Sequence, residues 1–157
     1  MKIIRSIVLA AALAAVASLA HAQGRPSPKS AMLYIISPED GETLKSPVTV
    51  RFGLHDMGVT HAGDDFINSG HHHLLIDVDE PLNPNEPIPA DKNHQHFTAG
   101  QTEAVLDLEP GKHTLQLVLG DGKHFLFNPP VVSKKITITV GENLPAAPPR
   151  PRRRGSH

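Results

Sequence analysis

The sequence predicts an all-β domain, an immunoglobulin-like β-sandwich of about seven strands. Two observations carry this prediction. Apolar residues alternate with polar ones in short segments between residues 31 and 141, which is the pattern of strands with one buried face. The chain also contains 15 prolines and 12 glycines, which recur too often in this stretch to leave room for three capped helical turns.

Each predicted strand is followed by residues that favour turns. His72, Leu74 and Ile76 alternate with His71 and His73 along one segment, which Leu75 makes apolar on both faces. After the turn at Pro110-Gly111, His113 stands in phase with buried leucines, at the corner where sandwich domains place a residue that bonds to the backbone. The other strands are predicted at 32–36, 48–55, 102–108, 115–119 and 131–140.

The two ends of the chain differ from this pattern. Residues 1–22 have the three parts of a secretory signal peptide, with Lys2 and Arg5 before an apolar run and Ala20-His21-Ala22 as the cleavage site. We therefore expect export to the periplasm, and a mature chain without a membrane span, because no later apolar stretch approaches about 18 residues. The expected organisation is a signal peptide at 1–22, a linker at 23–30, the sandwich domain at 31–141 and a disordered Pro/Arg-rich tail at 142–157.

Charge and cysteine content exclude several functions. The formal net charge of −1 becomes −3 once Lys2 and Arg5 are removed, which is not the balance of a nucleic-acid-binding protein. The chain has no cysteine, which excludes disulfides, thiolate zinc sites, iron–sulfur clusters and a cysteine nucleophile. A bound metal must therefore use histidine, carboxylate, methionine or backbone ligands.

Histidines are the most informative residues, because 11 are present and most are clustered. Strand alternation puts His71 and His73 on one face and His72 on the other, where it is expected to be a buried hydrogen-bonding residue. The same alternation pairs His94 with His96. Two such pairs brought together could supply four imidazoles to one copper or zinc ion. The predicted metal ligands are His71, His73, His94 and His96, with His124 as a fifth candidate from the turn after Asp121-Gly122-Lys123.

Several motifs resemble the DUF4399 family of exported bacterial domains. They include Gly70-His-His-His-Leu-Leu-Ile-Asp77, His94-Gln-His-Phe97 and Leu108-Glu-Pro-Gly-Lys-His-Thr-Leu-Gln-Leu117, within a resemblance that covers about residues 36–140. The resemblance implies an exported single domain without an established activity. Phe127 departs from it, because the family pattern has a further histidine there. The histidines that match the family pattern are His71, His72, His73, His94, His96, His113 and His124.

These observations predict a periplasmic binding protein with a histidine-rich face that binds a transition metal, copper or zinc, without catalysis. A protein partner in the periplasm would be compatible with this role. One alternative is an interaction module whose histidines form a hydrogen-bond network. A second is a metal-dependent hydrolase with Asp77 or Asp91 as the general base. The sequence favours binding, because it has no G-x-S-x-G, P-loop, dinucleotide or H-E-x-x-H motif.

Overall fold

The computed structural model describes residues 24–141, and the predicted all-β sandwich is confirmed. The predicted signal peptide at 1–22 and the predicted tail at 142–157 lie outside the described residues. From residue 24 to residue 141, no helix is long and apolar enough to cross a membrane. The strands are β1 (Met32–Ser37), β2 (Thr43–Leu44), β3 (Val48–His55), β4 (Gly58–Val59), β5 (Ser69–Ile76), β6 (His94–His96), β7 (Glu103–Leu106), β8 (Gly111–Gly120) and β9 (Ile136–Val140).

The strands form two sheets that enclose the main core. The smaller sheet has the antiparallel order β1-β3-β7, and the larger has the order β2-β9-β8-β5-β4, with β6 also paired to β5. Val50 and Phe52 of the small sheet pack against inward side chains of the large sheet such as Leu74, Leu117 and Ile138. The predicted alternation therefore places Leu74 on the inner face of β5, together with His72 and Ile76, which stand two residues away on either side.

The outer face of the large sheet is also covered, and this feature positions the candidate site. All eight residues of β5 are buried. Leu75 and Val118 on the outer face pack with Ile88 and Leu126 in a second apolar cluster, here called the outer cluster. Ile88 belongs to the proline-rich loop 77–93, which therefore lies over the outer face of β5 and β8.

The structure has more strands than the seven or so predicted, because β2, β4 and β6 are short additional ones, and it also differs in detail at two segments. The predicted strand 131–140 follows β8 along its length but is regular only from Ile136. The hydroxyl of Ser133 accepts a hydrogen bond from the Leu117 amide and donates one to the Lys134 carbonyl, which interrupts the ladder. The expected linker lies against the domain, because Pro26 forms a parallel bridge with Asn128.

Candidate metal centre

His71 and His73 reach the candidate site from the outer face of β5. β5 is paired with β8 on one side, with His71 opposite Gly120 and His73 opposite Val118. Alternation along the strand turns both side chains away from the main core and under the covering loops. Both histidines are fully buried, with a relative exposure of 0%.

His124 reaches the same place from the turn that follows β8. Asp121 organises this turn, because its Oδ1 accepts hydrogen bonds from the amides of Lys123 and Phe125, each at 2.9 Å. The Asp121 carbonyl also accepts a hydrogen bond from the His124 amide. His124 has a φ of 68°, a left-handed conformation that is uncommon outside glycine. The turn therefore holds His124 in a costly conformation that directs its ring toward β5.

The three side chains form a compact cluster of imidazole nitrogens, here called the histidine triad (His71, His73 and His124). Nδ1 of His124 lies 3.0 Å from Nε2 of His71 and 3.3 Å from Nε2 of His73. One ligand atom from each residue falls within 4.8 Å of the others. Tetrahedral ligands at about 2.0–2.1 Å from a zinc ion lie roughly 3.3 Å apart. Two of the three spacings in the histidine triad are thus close to those of ligands of one ion, and the third lies within 4.8 Å.

Burial keeps the triad in the neutral form that metals require. It lowers the pKa of His71 to about 4, and the neighbouring charges of His124 and His96 act in the same direction. Burial likewise lowers the pKa of His73 to about 2. The pKa of His124 is also lowered, first by burial and then by His96. Three neutral imidazoles, each with one lone pair, therefore converge at neutral pH.

Gly120 creates the space that His73 occupies. A Cβ at Gly120 would lie 2.2 Å from Cε1 and 2.8 Å from Nδ1 of His73, far inside van der Waals contact. The ring of His73 is further enclosed by the rings of His71 and His96, with centroids 4.5 and 4.2 Å away. Nδ1 of His71 and Nδ1 of His73 are buried without a hydrogen-bond partner. Packing against the neighbouring rings therefore contributes to orienting both rings.

The second predicted pair, His94 and His96, is divided between two environments. β6 runs antiparallel to β5, with His96 opposite His73 and His94 opposite Leu75. The ring of His96 consequently packs against the triad, edge-on to His73 and stacked on His124 with a centroid distance of 4.8 Å. His94 lies two residue pairs further along, and its Nδ1 donates a 2.8 Å hydrogen bond to Asp91. The structure therefore does not bring His94 to the triad.

The remaining histidines of the family pattern have structural partners. His72 faces the main core, where its ring contacts Phe52 and its Nδ1 donates to the Gln101 carbonyl. Burial lowers the pKa of His72. His113 occupies the predicted corner, since its Nε2 donates to the Glu109 carbonyl and its Nδ1 donates to Asp77, each at 2.8 Å.

The carboxylates considered for a hydrolase are engaged elsewhere. Asp77 binds His113 and the Thr114 amide, and Asp91 binds His94. Within the described part of the chain, the cluster with metal-ligand spacing contains histidines alone. Phe127, the position at which the chain was expected to depart from the family resemblance, packs in the main core.

Two residues shape this site without having been predicted to do so, Gly120 and Asp121. Gly120 ends β8 directly opposite His71, and Asp121 begins the turn that carries His124. A Gly-Asp-Gly sequence between an alternating strand and a histidine was the available signal. It indicated a turn, but it did not indicate which ring would fill the space above Gly120.

Comparison with known proteins gives a family but no characterised relative. The family described as "Domain of unknown function (DUF4399)" matches residues 50–141. This range includes β5, β6 and the His124 turn, and so the whole histidine triad. No curated protein and no solved structure matches the chain.

Proposed function

We propose that this chain, which belongs to the DUF4399 family, binds a single transition-metal ion between His71, His73 and His124. The role we propose is binding without catalysis, by a protein exported to the periplasm. The signal-peptide pattern of residues 1–22 supports the location, and the geometry of the histidine triad supports the ligand.

The observation that carries the proposal is the convergence of Nε2 of His71 and Nε2 of His73 on Nδ1 of His124, at 3.0 and 3.3 Å. A neutral imidazole has one lone pair, so Nδ1 of His124 can accept fully from one N–H donor but not from two. A cation at the centre would engage one lone pair from each of the three rings. It would therefore satisfy the three converging nitrogens together, which hydrogen bonds among them do not.

The donor set favours zinc or copper. Imidazole nitrogen suits Zn²⁺ and Cu²⁺, whereas Mg²⁺ and Ca²⁺ prefer oxygen ligands. Copper is expected to bind more tightly by the general order of divalent metal affinities, and zinc fits the tetrahedral spacing. Both ions require deprotonated ligands, a condition that the lowered pKa values of His71 and His73 meet at neutral pH.

Calorimetric titration with Zn²⁺ and Cu²⁺ tests the proposal on untagged protein that begins at Gln23. We expect one equivalent to bind with submicromolar affinity and the affinity to fall together in His71→Ala, His73→Ala and His124→Ala. His94→Ala is the matched control, because His94 belongs to the same motif but binds Asp91 outside the triad. Absence of submicromolar binding, or equal affinity in all four variants, would overturn the proposal.

A second candidate function is an interaction module in which the triad is a structural hydrogen-bond network. The specific observation in its favour is the hydrogen-bond distance between His71 and His124. On this alternative, His124→Ala would lower the free energy of unfolding, and added metal would change neither stability nor structure. The two functions therefore differ in whether one equivalent of Zn²⁺ raises the unfolding temperature, as binding to the native state requires.

A further inference from the structure

The proline-rich loop is joined to the candidate metal centre at two points. Nε2 of His96 donates a 2.7 Å hydrogen bond to the carbonyl of Pro89. The amide of Ile88, the preceding residue, donates a 2.8 Å hydrogen bond to the carbonyl of His124. Ile88 is itself buried in the outer cluster against Leu75 and Val118. The buried side chain of Ile88 thus anchors the loop beside the two hydrogen bonds that join it to His96 and His124.

The hydrogen bond to Pro89 determines which nitrogen of His96 is available. A carbonyl oxygen only accepts, so Nε2 must carry the hydrogen, and the lone pair of the neutral ring is then on Nδ1. Histidines that bind metals commonly donate their other ring N–H to a backbone carbonyl in this way, which fixes the tautomer and the ring orientation. His96 has this arrangement and packs against two residues of the triad, His73 and His124. It is not among the residues whose ligand atoms all lie within 4.8 Å of one another, so ligation through Nδ1 requires its ring to move closer to the triad.

We propose that His96 is the fourth ligand of the metal, through Nδ1, and that Pro89 positions it, so that metal binding and the order of loop 77–93 stabilise each other. This inference rests on the proposed function, because it requires a metal at the triad. A closed site with four protein ligands is typical of structural sites, whereas a catalytic site keeps one position open. Because coupling between two events is reciprocal, an ion that holds His96 must also hold the loop that orients it.

Two measurements on the zinc-loaded protein test the inference. X-ray absorption at the zinc edge counts imidazole ligands, and we expect four in the wild type and three in His96→Gln. Hydrogen exchange measures how well the backbone amides of the loop are protected. We expect zinc to slow exchange of the Ile88 amide several-fold in the wild type. The glutamine side chain can still donate to the Pro89 carbonyl but is a poor ligand for zinc. In His96→Gln we therefore expect zinc affinity to fall about 10–100-fold and the zinc-dependent protection of the loop to be lost.

His94→Gln is the matched control, since His94 lies on the same strand and binds Asp91 instead. Four imidazoles and loop protection should persist in that variant. Three imidazoles in the wild type, or equal zinc affinity and loop protection in wild type and His96→Gln, would overturn the inference and leave the triad site intact. Failure of the wild type to bind either Zn²⁺ or Cu²⁺ would overturn the proposed function itself. The ligand count in the wild type needs no variant, so the test stands even if a substitution impairs folding.

Discussion

Substitution of Gly120 by alanine should damage the candidate metal centre although no ligand is replaced. The added Cβ would lie 2.2 Å from Cε1 of His73, and contact distances below 3.4 Å require a neighbour to move. The imidazole ring of His73 is rigid, fully buried and enclosed by the rings of His71 and His96. Relief of the clash therefore requires the histidine rings or the backbone to move. Restoring contact needs a shift of roughly 1.2 Å, against a tolerance of about 0.2 Å in a metal–ligand distance.

From this clash we expect Gly120→Ala to lower the free energy of unfolding by about 1–3 kcal/mol, the usual cost of overpacking. Zinc affinity should fall at least about 10-fold. Urea denaturation followed by circular dichroism measures the first quantity, and calorimetric titration measures the second. Gly58→Ala is the matched control, because the nearest atom to its Cβ would be Ser69 Cβ at 3.5 Å, an ordinary contact. The reasoning is refuted if Gly120→Ala equals Gly58→Ala in stability and zinc affinity.

Three further predictions concern acid, the corner histidine and the loop. Burial lowers the pKa of His71 to about 4 and that of His73 to about 2, so below pH 6.5 the unfolded chain binds protons that the folded chain does not. The free energy of unfolding of the chelator-treated protein should therefore fall by about 1 kcal/mol per pH unit for each of the two histidines as the pH drops from 6.5 toward 4, and less steeply in a variant with glutamine at both positions. Burial alone would lower the pKa of His113, but its hydrogen bonds to Asp77 and Glu109 outweigh burial and raise this pKa. The stabilisation that protonated His113 gives the folded protein is therefore present below pH 6.5 and lost as the pH rises through the folded-state pKa. Asp77→Asn should remove this pH dependence of the free energy of unfolding, measured by urea denaturation. Ile88→Ala should cost about 2–4 kcal/mol in the same assay, because Ile88 is 4% exposed in the outer cluster, and a cost below 1 kcal/mol would mean that the loop does not cover the sheet.

Strand alternation was sufficient to predict part of the site. The period of two along β5 separates His71 and His73 from His72, because side chains on neighbouring residues point to opposite faces. It also indicated that the strand is apolar on both faces through Leu74 and Leu75. The structure gives the reason, which is that the outer cluster buries the second face.

Alternation could not predict how β6 aligns with β5. His94 and His96 are equivalent by periodicity, and only the pairing of His96 with His73 puts one ring against the triad and the other beside Asp91. Pairing depends on contacts between distant segments, so a pattern within one strand does not contain it. The same limit applies to His124, whose orientation depends on a left-handed backbone held by Asp121.

Nor did composition indicate how the loop 77–93 is used. The prolines between residues 80 and 93 lower the entropy cost of ordering this segment, since proline restricts φ in the unfolded chain. They did not predict that Ile88 would be buried against the sheet or that the Pro89 carbonyl would accept from His96. These contacts join the loop to the candidate site, and they follow from the tertiary fold rather than from local preference.

The most direct test of the metal centre is a crystal structure of the protein grown with one equivalent of Zn²⁺, with anomalous data collected at the zinc edge. The proposed function predicts a single strong peak at about 2.0–2.1 Å from Nε2 of His71, Nε2 of His73 and Nδ1 of His124. A peak bound elsewhere, or no peak at the triad while the three rings keep their hydrogen-bond distances, would contradict it.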